Sequence, residues 1–364
     1  MGALPMLFDP RPKRSIDELF DRREEFEALF SADEPLTLLL GIRRVGKSSL
    51  LRATLNEIEG GVYIDARKMY FDSGGWITAD SLRRELERAL NSLRKDFRSI
   101  LIEAMKTING VKVKGIELRF EKSIQISDVL EALNEVGAVI GVDEAQYLRF
   151  YGSRGGREFL ALLAYAYDNL ENLRFILTGS EVGLLHDFLG LGEYESPLYG
   201  RSYGEVRLMP FSRSLSIEFL KRGFAEAGVE VPMMDIERAV DVLDGIPGWL
   251  VDFGRAYMKE GNLKSAIESV LKKAEGFLRG ELKELERRSP RYILILEGIA
   301  KGYNRWELLR EYLAVKGQEV PKSRLSKLLD SLEKMSWIIR ESVDGRRKYR
   351  IVDPVIERVL KESG

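Results

Sequence analysis

Eight consecutive residues have the types and spacing to hold a polyphosphate. Gly41-Ile42-Arg43-Arg44-Val45-Gly46-Lys47-Ser48 reads G-x-x-x-x-G-K-S. The apolar run Leu36–Leu40 precedes it, and the helix-forming stretch Ser49-Leu50-Leu51-Arg52-Ala53-Thr54-Leu55 follows. Strand, glycine loop and helix in that order turn a pattern into a phosphate site. Gly41 and Gly46 let the backbone curl so that successive N–H groups of Ile42, Arg43, Arg44 and Val45 point inward. The helix starting near Lys47 adds its positive dipole end. Lys47 would reach the terminal phosphates and the Ser48 hydroxyl would face Mg²⁺, with Ser49 next in the helix. The ligand implied is a nucleoside triphosphate.

A second constellation lies about a hundred residues on. Ala138-Val139-Ile140-Gly141-Val142 is a continuous apolar run, as in a strand buried on both faces of a parallel sheet. It ends in Asp143 and Glu144. A carboxylate at that strand tip, Asp143, would share the magnesium with Ser48. Glu144 would act as the base that orients a water for attack on the γ-phosphate. Arg174–Ser180 reads as a further strand ending in hydroxyls. Thr178 or Ser180 would bond the attacking water or the γ-phosphate, or would simply begin a turn. Arg201 would supply positive charge to the transition state, or form an ordinary salt bridge.

Composition narrows the chemistry. The chain has 364 residues, enough for two or three domains, and 45% of them are hydrophobic, enough for true cores. There is no Cys and one His, His186, which excludes disulfides, thiolate zinc sites, Cys nucleophiles and any triad needing a second His. Charged residues reach 32% with a net charge of only −1, a mixture that with few Gln leans towards a heat-adapted intracellular protein. No apolar run approaches the ~18 residues of a membrane span. Met1–Met6 carries neither a signal-peptide pattern nor the residue-6 hydroxyl of a myristoylation site. A cytoplasmic location is expected.

Several elements must position these groups. Asp21-Arg22-Arg23-Glu24 reads as a helix start capped by Asp21, with Phe26, Leu29 and Phe30 on one apolar face. Val62–Ala66 is a strand. Residues 78–107 keep helical spacing through Leu82, Leu86, Leu90 and Leu93, and Val111–Phe120 alternates about Gly115 as a hairpin with one exposed face. The stretch 72–127 is therefore an insertion with no chemistry assigned. Glu205–Pro210 is the last core strand. From Ser214 to Glu286 the pattern is helical, interrupted at Gly245-Ile246-Pro247.

The last eighty or so residues predict three helices and a hairpin, a winged helix. Asn304 and Glu307 cap its second helix, Pro321 opens its third, and Asp344-Gly345 makes the hairpin turn. From Arg291 onward, sixteen Lys/Arg stand against eleven Asp/Glu, in a chain that is nearly neutral as a whole. Arg324, Lys327, Ser331 and Lys334 share one face of the third helix, and Arg340, Arg346, Arg347, Lys348 and Arg350 line the hairpin. This asymmetry suits contact with a phosphate backbone, and DNA is the expected partner; packing or protein docking is the other use of such a domain.

Taken together, Phe20–Glu24, Gly41–Leu50, Val142–Gln146, Leu198-Tyr199-Gly200-Arg201 and Gly245-Ile246-Pro247 resemble the archaeal ATPases of the AAA+-related STAND/origin-recognition branch. With the winged helix, the likeness spans nearly the whole chain. It implies an α/β fold of the P-loop NTPase class (ASCE, AAA+-like). The Phe175–Thr178 strand would lie between the Leu36–Leu40 and Val139–Val142 strands. Residues 1–211 would be the core, 212–286 an all-α lid and 287–364 the winged helix. The resemblance also implies ATP or ADP with Mg²⁺ as ligands and Arg201 as a γ-phosphate sensor or finger. Arg22 and Arg23 would border the adenine, Pro247 would lie near the nucleotide, and Gln146 would help to place the water. A slow ATP-hydrolysing switch acting on DNA or a protein partner is the function expected. A non-catalytic DNA-binding regulator that holds nucleotide for stability is the alternative.

Overall fold

A computed structural model describes residues 6–343 and 345–362. Met1–Pro5 and Asp344 lie outside the described residues, so the leader and the Asp344 half of the hairpin turn are not described further. The chain forms two compact units. One comprises Pro12–Gly41 and Gly46–Leu208; the other gathers the chain up to Arg11, residues Ile42–Val45 and everything from Met209 onward.

The first unit contains α1 (Arg23–Phe30), β1 (Leu36–Leu40), α2 (Lys47–Glu57), β2 (Gly61–Asp65), α3 (Ala66–Asp72), α4 (Ala79–Asn91) and α5 (Lys95–Met105). It continues with β3 (Val111–Lys114), β4 (Glu117–Phe120), α6 (Ile126–Glu135), β5 (Val139–Asp143), α7 (Arg157–Asn169), β6 (Arg174–Gly179), α8 (Val182–Leu189) and β7 (Gly204–Arg207). Five strands form one parallel sheet in the order β2-β5-β6-β1-β7, so β6 lies between β1 and β5 as expected. Burial follows position in the sheet. Every residue of β1 and β5 is buried, whereas the edge strands β2 and β7 alternate. Continuous Leu, Val and Ile runs therefore go to the centre, and mixed runs to the rims.

Because all five strands run the same way, their C-terminal ends share one edge. Gly41, Asp65, Asp143 and the Thr178–Ser180 tip lie along it. Helix α2 packs against β2, β5 and β6. Two glycines allow that approach: a Cβ on Gly61 would lie 1.9 Å from the Leu55 carbonyl oxygen, and one on Gly141 2.5 Å from Leu55 Cδ1. Gly141 lies two residues before Asp143, so the helix that begins at Lys47 is seated on the strand that ends in the acids.

Four local features of this unit differ from the sequence pattern. Asp21 does not cap α1; it takes φ 49°, and Arg22 is the N-cap, without a side-chain capping bond. Phe30 is exposed and stacks on Phe26 at 5.6 Å rather than joining the buried face. The 78–107 stretch is two helices, broken at Ser92–Arg94, where the Ser92 and Leu93 N–H groups turn back to Ala89 and Leu90. In the β3–β4 hairpin only Leu118 and Phe120 of β4 are buried, and β3 is largely exposed.

The second unit holds α9 (Arg213–Glu226), α10 (Met233–Leu243), α11 (Pro247–Glu260), α12 (Leu263–Arg288), α13 (Arg291–Ala300), α14 (Trp306–Val315), α15 (Lys322–Lys334), β8 (Ile338–Val343), β9 (Arg346–Ile351) and α16 (Pro354–Glu362). The three-helix-and-hairpin arrangement of its C-terminal part, α13–α15 with β8 and β9, is a winged helix. Asn304 does not cap α14: Arg305 holds that position, and the Asn304 carbonyl accepts the Tyr349 N–H at 2.8 Å. Helix α16 was not expected. Asp353 caps it, accepting the Val355 and Ile356 N–H groups, and also takes the Trp249 indole N–H at 2.8 Å. No helix among the described residues is long and apolar enough to cross a membrane.

Glycine substitutions should separate seating from flexibility. Gly61→Ala meets backbone atoms and should cost about 3 kcal/mol, the upper part of the overpacking range. Gly276→Ala has open space within the exposed face of α12 and should add about 1 kcal/mol of helix stability. Chemical denaturation of both variants checks the pair; equal effects would remove the tight seating of α2.

Candidate functional site

Lys47 opens α2 after Gly46, whose φ of 105° only glycine adopts readily. The Lys47 side chain is buried and donates from Nζ to the Gly41 carbonyl at 2.8 Å, arching back over the loop. Ser48 follows in the first turn of α2. The Ser49 hydroxyl instead accepts the Lys13 N–H at 3.2 Å, tying the helix to the preceding segment.

The acids at the tip of β5 are bound into a network by one hydroxyl. Thr178 on β6 is fully buried and donates to Asp143 Oδ1 at 2.6 Å, while its oxygen accepts the Glu144 N–H at 3.0 Å. The other Asp143 oxygen, Oδ2, accepts from the Tyr63 hydroxyl on β2 at 2.8 Å. Burial and the Asp143 charge push the Tyr63 phenol above its ordinary value, so it stays a donor. Burial likewise raises Asp65, in register with Asp143 on the neighbouring strand, against the stabilising Lys68 N–H.

Glu144 takes φ 52°, an uncommon conformation for a side-chain-bearing residue. Its carboxylate is held at Oε2 by the Ser180 hydroxyl at 2.7 Å, the Ser180 N–H at 3.3 Å and Gln146 Nε2 at 2.5 Å. Gln146 is 1% exposed, so it reaches Glu144 and not open solvent. The left-handed turn and the three donors fix the Glu144 carboxylate in one orientation.

The remaining candidates are dispersed. Arg201 pairs with Asp168, its Nε donating to Oδ1 at 3.0 Å, and also donates to the Pro197 carbonyl. That pair lowers Asp168 and raises Arg201 from their ordinary values. Arg22 is buried and bonds Glu25 at 2.8 Å; Arg23 is 81% exposed beside Glu27. His186 sits in α8 with its ring edge-on to Tyr203, a packing position.

Within the second unit, the middle of the glycine loop has its own surroundings. The Arg44 guanidinium lies 4.1 Å from the Trp249 ring centre and 4.9 Å from that of Phe277, and burial lowers its pKa. Its backbone takes φ 66°, and its carbonyl accepts the Gly248 N–H at 3.0 Å, one residue after Pro247. Arg43 lies over Trp337 and 3.8 Å from Glu281. Neither Arg44 nor Arg43 was legible as an aromatic-packed side chain, nor Tyr63 as a partner of Asp143.

An ion bound between phosphates and protein needs only one or two protein oxygens, with water completing its shell. The donor set fits magnesium: a carboxylate fixed on both sides at the tip of β5, and a hydroxyl in the first turn of the helix seated on that strand.

Residues 19–253 match the family described as an ATPase domain predominantly from Archaea. The chain belongs to this archaeal ATPase family. Residues 286–352 match the C-terminal winged helix-turn-helix domain of MCM proteins. The Walker-type ATPase PABY2304 of Pyrococcus abyssi is 50% identical, with a TM-score of 0.88 over 98% of this chain and 99% of that one. The Aeropyrum pernix ORC2 protein, solved as ADPNP and ADP complexes, is 16% identical with a TM-score of 0.57 over 98% of both chains, a likeness of fold. Among curated proteins none matches. The fold is thus a P-loop ATPase core with a C-terminal winged helix, as the resemblance implied.

Thr178→Val should strip Asp143 Oδ1 of its donor and the Glu144 N–H of its acceptor while keeping side-chain volume. Leaving such buried groups unpaired costs about 1–3 kcal/mol each. Thermal unfolding measures it, and an unchanged midpoint would dissolve the network.

Proposed function

We propose that the chain is a magnesium-dependent ATP hydrolase that works as a slow switch. Lys47 and the backbone N–H groups from Ile42 to Ser48 hold the phosphates, because the Arg43 and Arg44 side chains are engaged elsewhere. Ser48 and Asp143 hold the metal, which when bound neutralises charge on the phosphate oxygens. Glu144 is the general base. Its hold on Ser180 and Gln146 makes turning out of that grip the step that arms it, which suits low basal turnover. Thr178 keeps Asp143 and the Glu144 backbone in fixed relation. Arg201 serves as a sensor or finger only after exchanging Asp168 for a phosphate. Arg22 and Arg23 border the base, and Pro247 delivers Gly248 to the loop.

The observation that carries this reading is the Asp143–Thr178–Glu144 network at the sheet edge that also ends in Gly41. In the same reading, residues 1–211 are the motor, 212–286 the lid and 287–364 the DNA-contacting winged helix. Arg324, Lys327, Lys334, Arg346 and Arg347 are exposed, which favours a phosphate-backbone contact. Arg340 and Arg350 are instead engaged by Asp330 and Glu333, and by Glu341. Lys348 is half-buried on β9.

Phosphate release tests the base. Glu144→Gln should lower it by about 10²–10⁴-fold while ATP still binds, and Lys47→Ala should lose ATP binding. Equal rates for Glu144→Gln and the unaltered chain would leave a nucleotide-holding regulator in place of a hydrolase.

Duplex titrations with ADP, with a non-hydrolysable ATP analogue and with neither test the switch. Affinity should differ between nucleotide states. Arg324→Ala with Lys327→Ala should reduce the salt slope by about 2. Affinity indifferent to nucleotide would refute the coupling.

A further inference from the structure

Tyr63 sits at the middle of β2, the rim strand next to β5, in register with Gly141. Alternation puts Tyr63, Asp65, Gly141 and Asp143 on one face of these two strands. Gly141 carries no side chain, and Leu51 and Leu55 of α2 lie against it. The ring leans towards the C-terminal edge, and its hydroxyl reaches the diagonal neighbour Asp143 at 2.8 Å. Over the ring, at 3.7 Å from its centre, lies the Arg52 guanidinium. Arg52 follows Ser48 by four residues, one turn along the same face of α2.

We propose that Tyr63 is a positioning residue for Asp143, and that Arg52 braces it so that the helix carrying Ser48 sets the orientation of the carboxylate on β5. The proposal rests on the reading that Ser48 and Asp143 hold magnesium. Each Asp143 oxygen has two lone pairs. Thr178 takes one on Oδ1 and Tyr63 one on Oδ2, so the carboxylate cannot turn, and its remaining lone pairs keep a fixed direction. Residues that orient a metal ligand from outside its shell act in this way. A tyrosine serving only as rim packing would need the ring and its stacking cation, but not a hydroxyl aimed at one carboxylate oxygen.

The test is the magnesium dependence of nucleotide binding by the full chain, read with a fluorescent ATP analogue while MgCl₂ is titrated. Tyr63→Phe removes the hydroxyl and leaves the ring for Arg52. The magnesium midpoint should rise about 10-fold with metal-free nucleotide affinity unchanged, while the loss of a donor to a buried carboxylate oxygen lowers the unfolding midpoint, as with Thr178→Val. Arg52→Met keeps the hydroxyl and loosens the ring, and should move the magnesium midpoint in the same direction by less. Should either variant fail to fold, the other supplies the measurement. A magnesium midpoint unchanged in the folded variants makes Tyr63 a packing residue and overturns the proposal. If the unaltered chain binds the analogue with no dependence on magnesium, the metal reading itself fails. That result is distinct from a variant-specific null and overturns both.

Discussion

The arrangement at the sheet edge depends on one buried hydroxyl. Thr178 has a single proton to donate, and it goes to Asp143; its oxygen is then left to receive the Glu144 N–H. A threonine can do both at once because donor and acceptor occupy different directions on one atom. The two acids are consecutive in the chain, yet their side chains diverge, since Glu144 turns to φ 52° immediately after the strand ends. Thr178 makes that divergence stable by giving the turning peptide a partner across the sheet. In a parallel sheet the partner must come from the adjacent strand, and the order β5-β6-β1 places β6 there. Strand order, turn geometry and side-chain chemistry are therefore a single constraint.

Much of this was legible from the chain alone. Leu36–Leu40, apart from Thr37, and Val139–Val142 are apolar throughout, which is the mark of strands covered on both faces, and both proved fully buried. The glycine loop announced itself through spacing because the backbone curl demands glycine at fixed places. What stayed hidden was whatever depends on register between distant segments. Tyr63 and Asp143 are 80 residues apart, and nothing in Val62-Tyr63-Ile64 marks the tyrosine as a donor to that particular acid. Arg201 and Asp168, 33 residues apart, are paired for the same reason. Arg43 and Arg44 read only as carriers of loop N–H groups, and nothing local marks their side chains as partners of Trp337, Trp249 and Phe277.

Local capping proved a weaker guide than periodicity. Asp21 and Asn304 are both good cap types, yet each stands one residue too early, and an arginine takes the N-cap position. Asn304 is used through its backbone, as an acceptor for the β9 strand. Competition from tertiary hydrogen bonds decides such cases, since a carbonyl committed to a hairpin fixes the chain before the helix starts. Asp353 is the converse. It caps α16 and simultaneously receives the Trp249 indole, so one acid secures both a local and a remote element.

The four residues between the two loop glycines cluster with the chain beyond Met209, although the glycines that frame them do not. Protein engineers commonly excise a motor by cutting at the end of its last strand. Here a fragment ending at Leu208 would retain the lysine, both acids and the threonine, but would strand Arg44 without Trp249, Phe277 and Gly248. Its left-handed backbone would then lose the Gly248 N–H that its carbonyl accepts. The conformation of Arg44 is therefore not portable: it is inherited from residues some two hundred positions downstream.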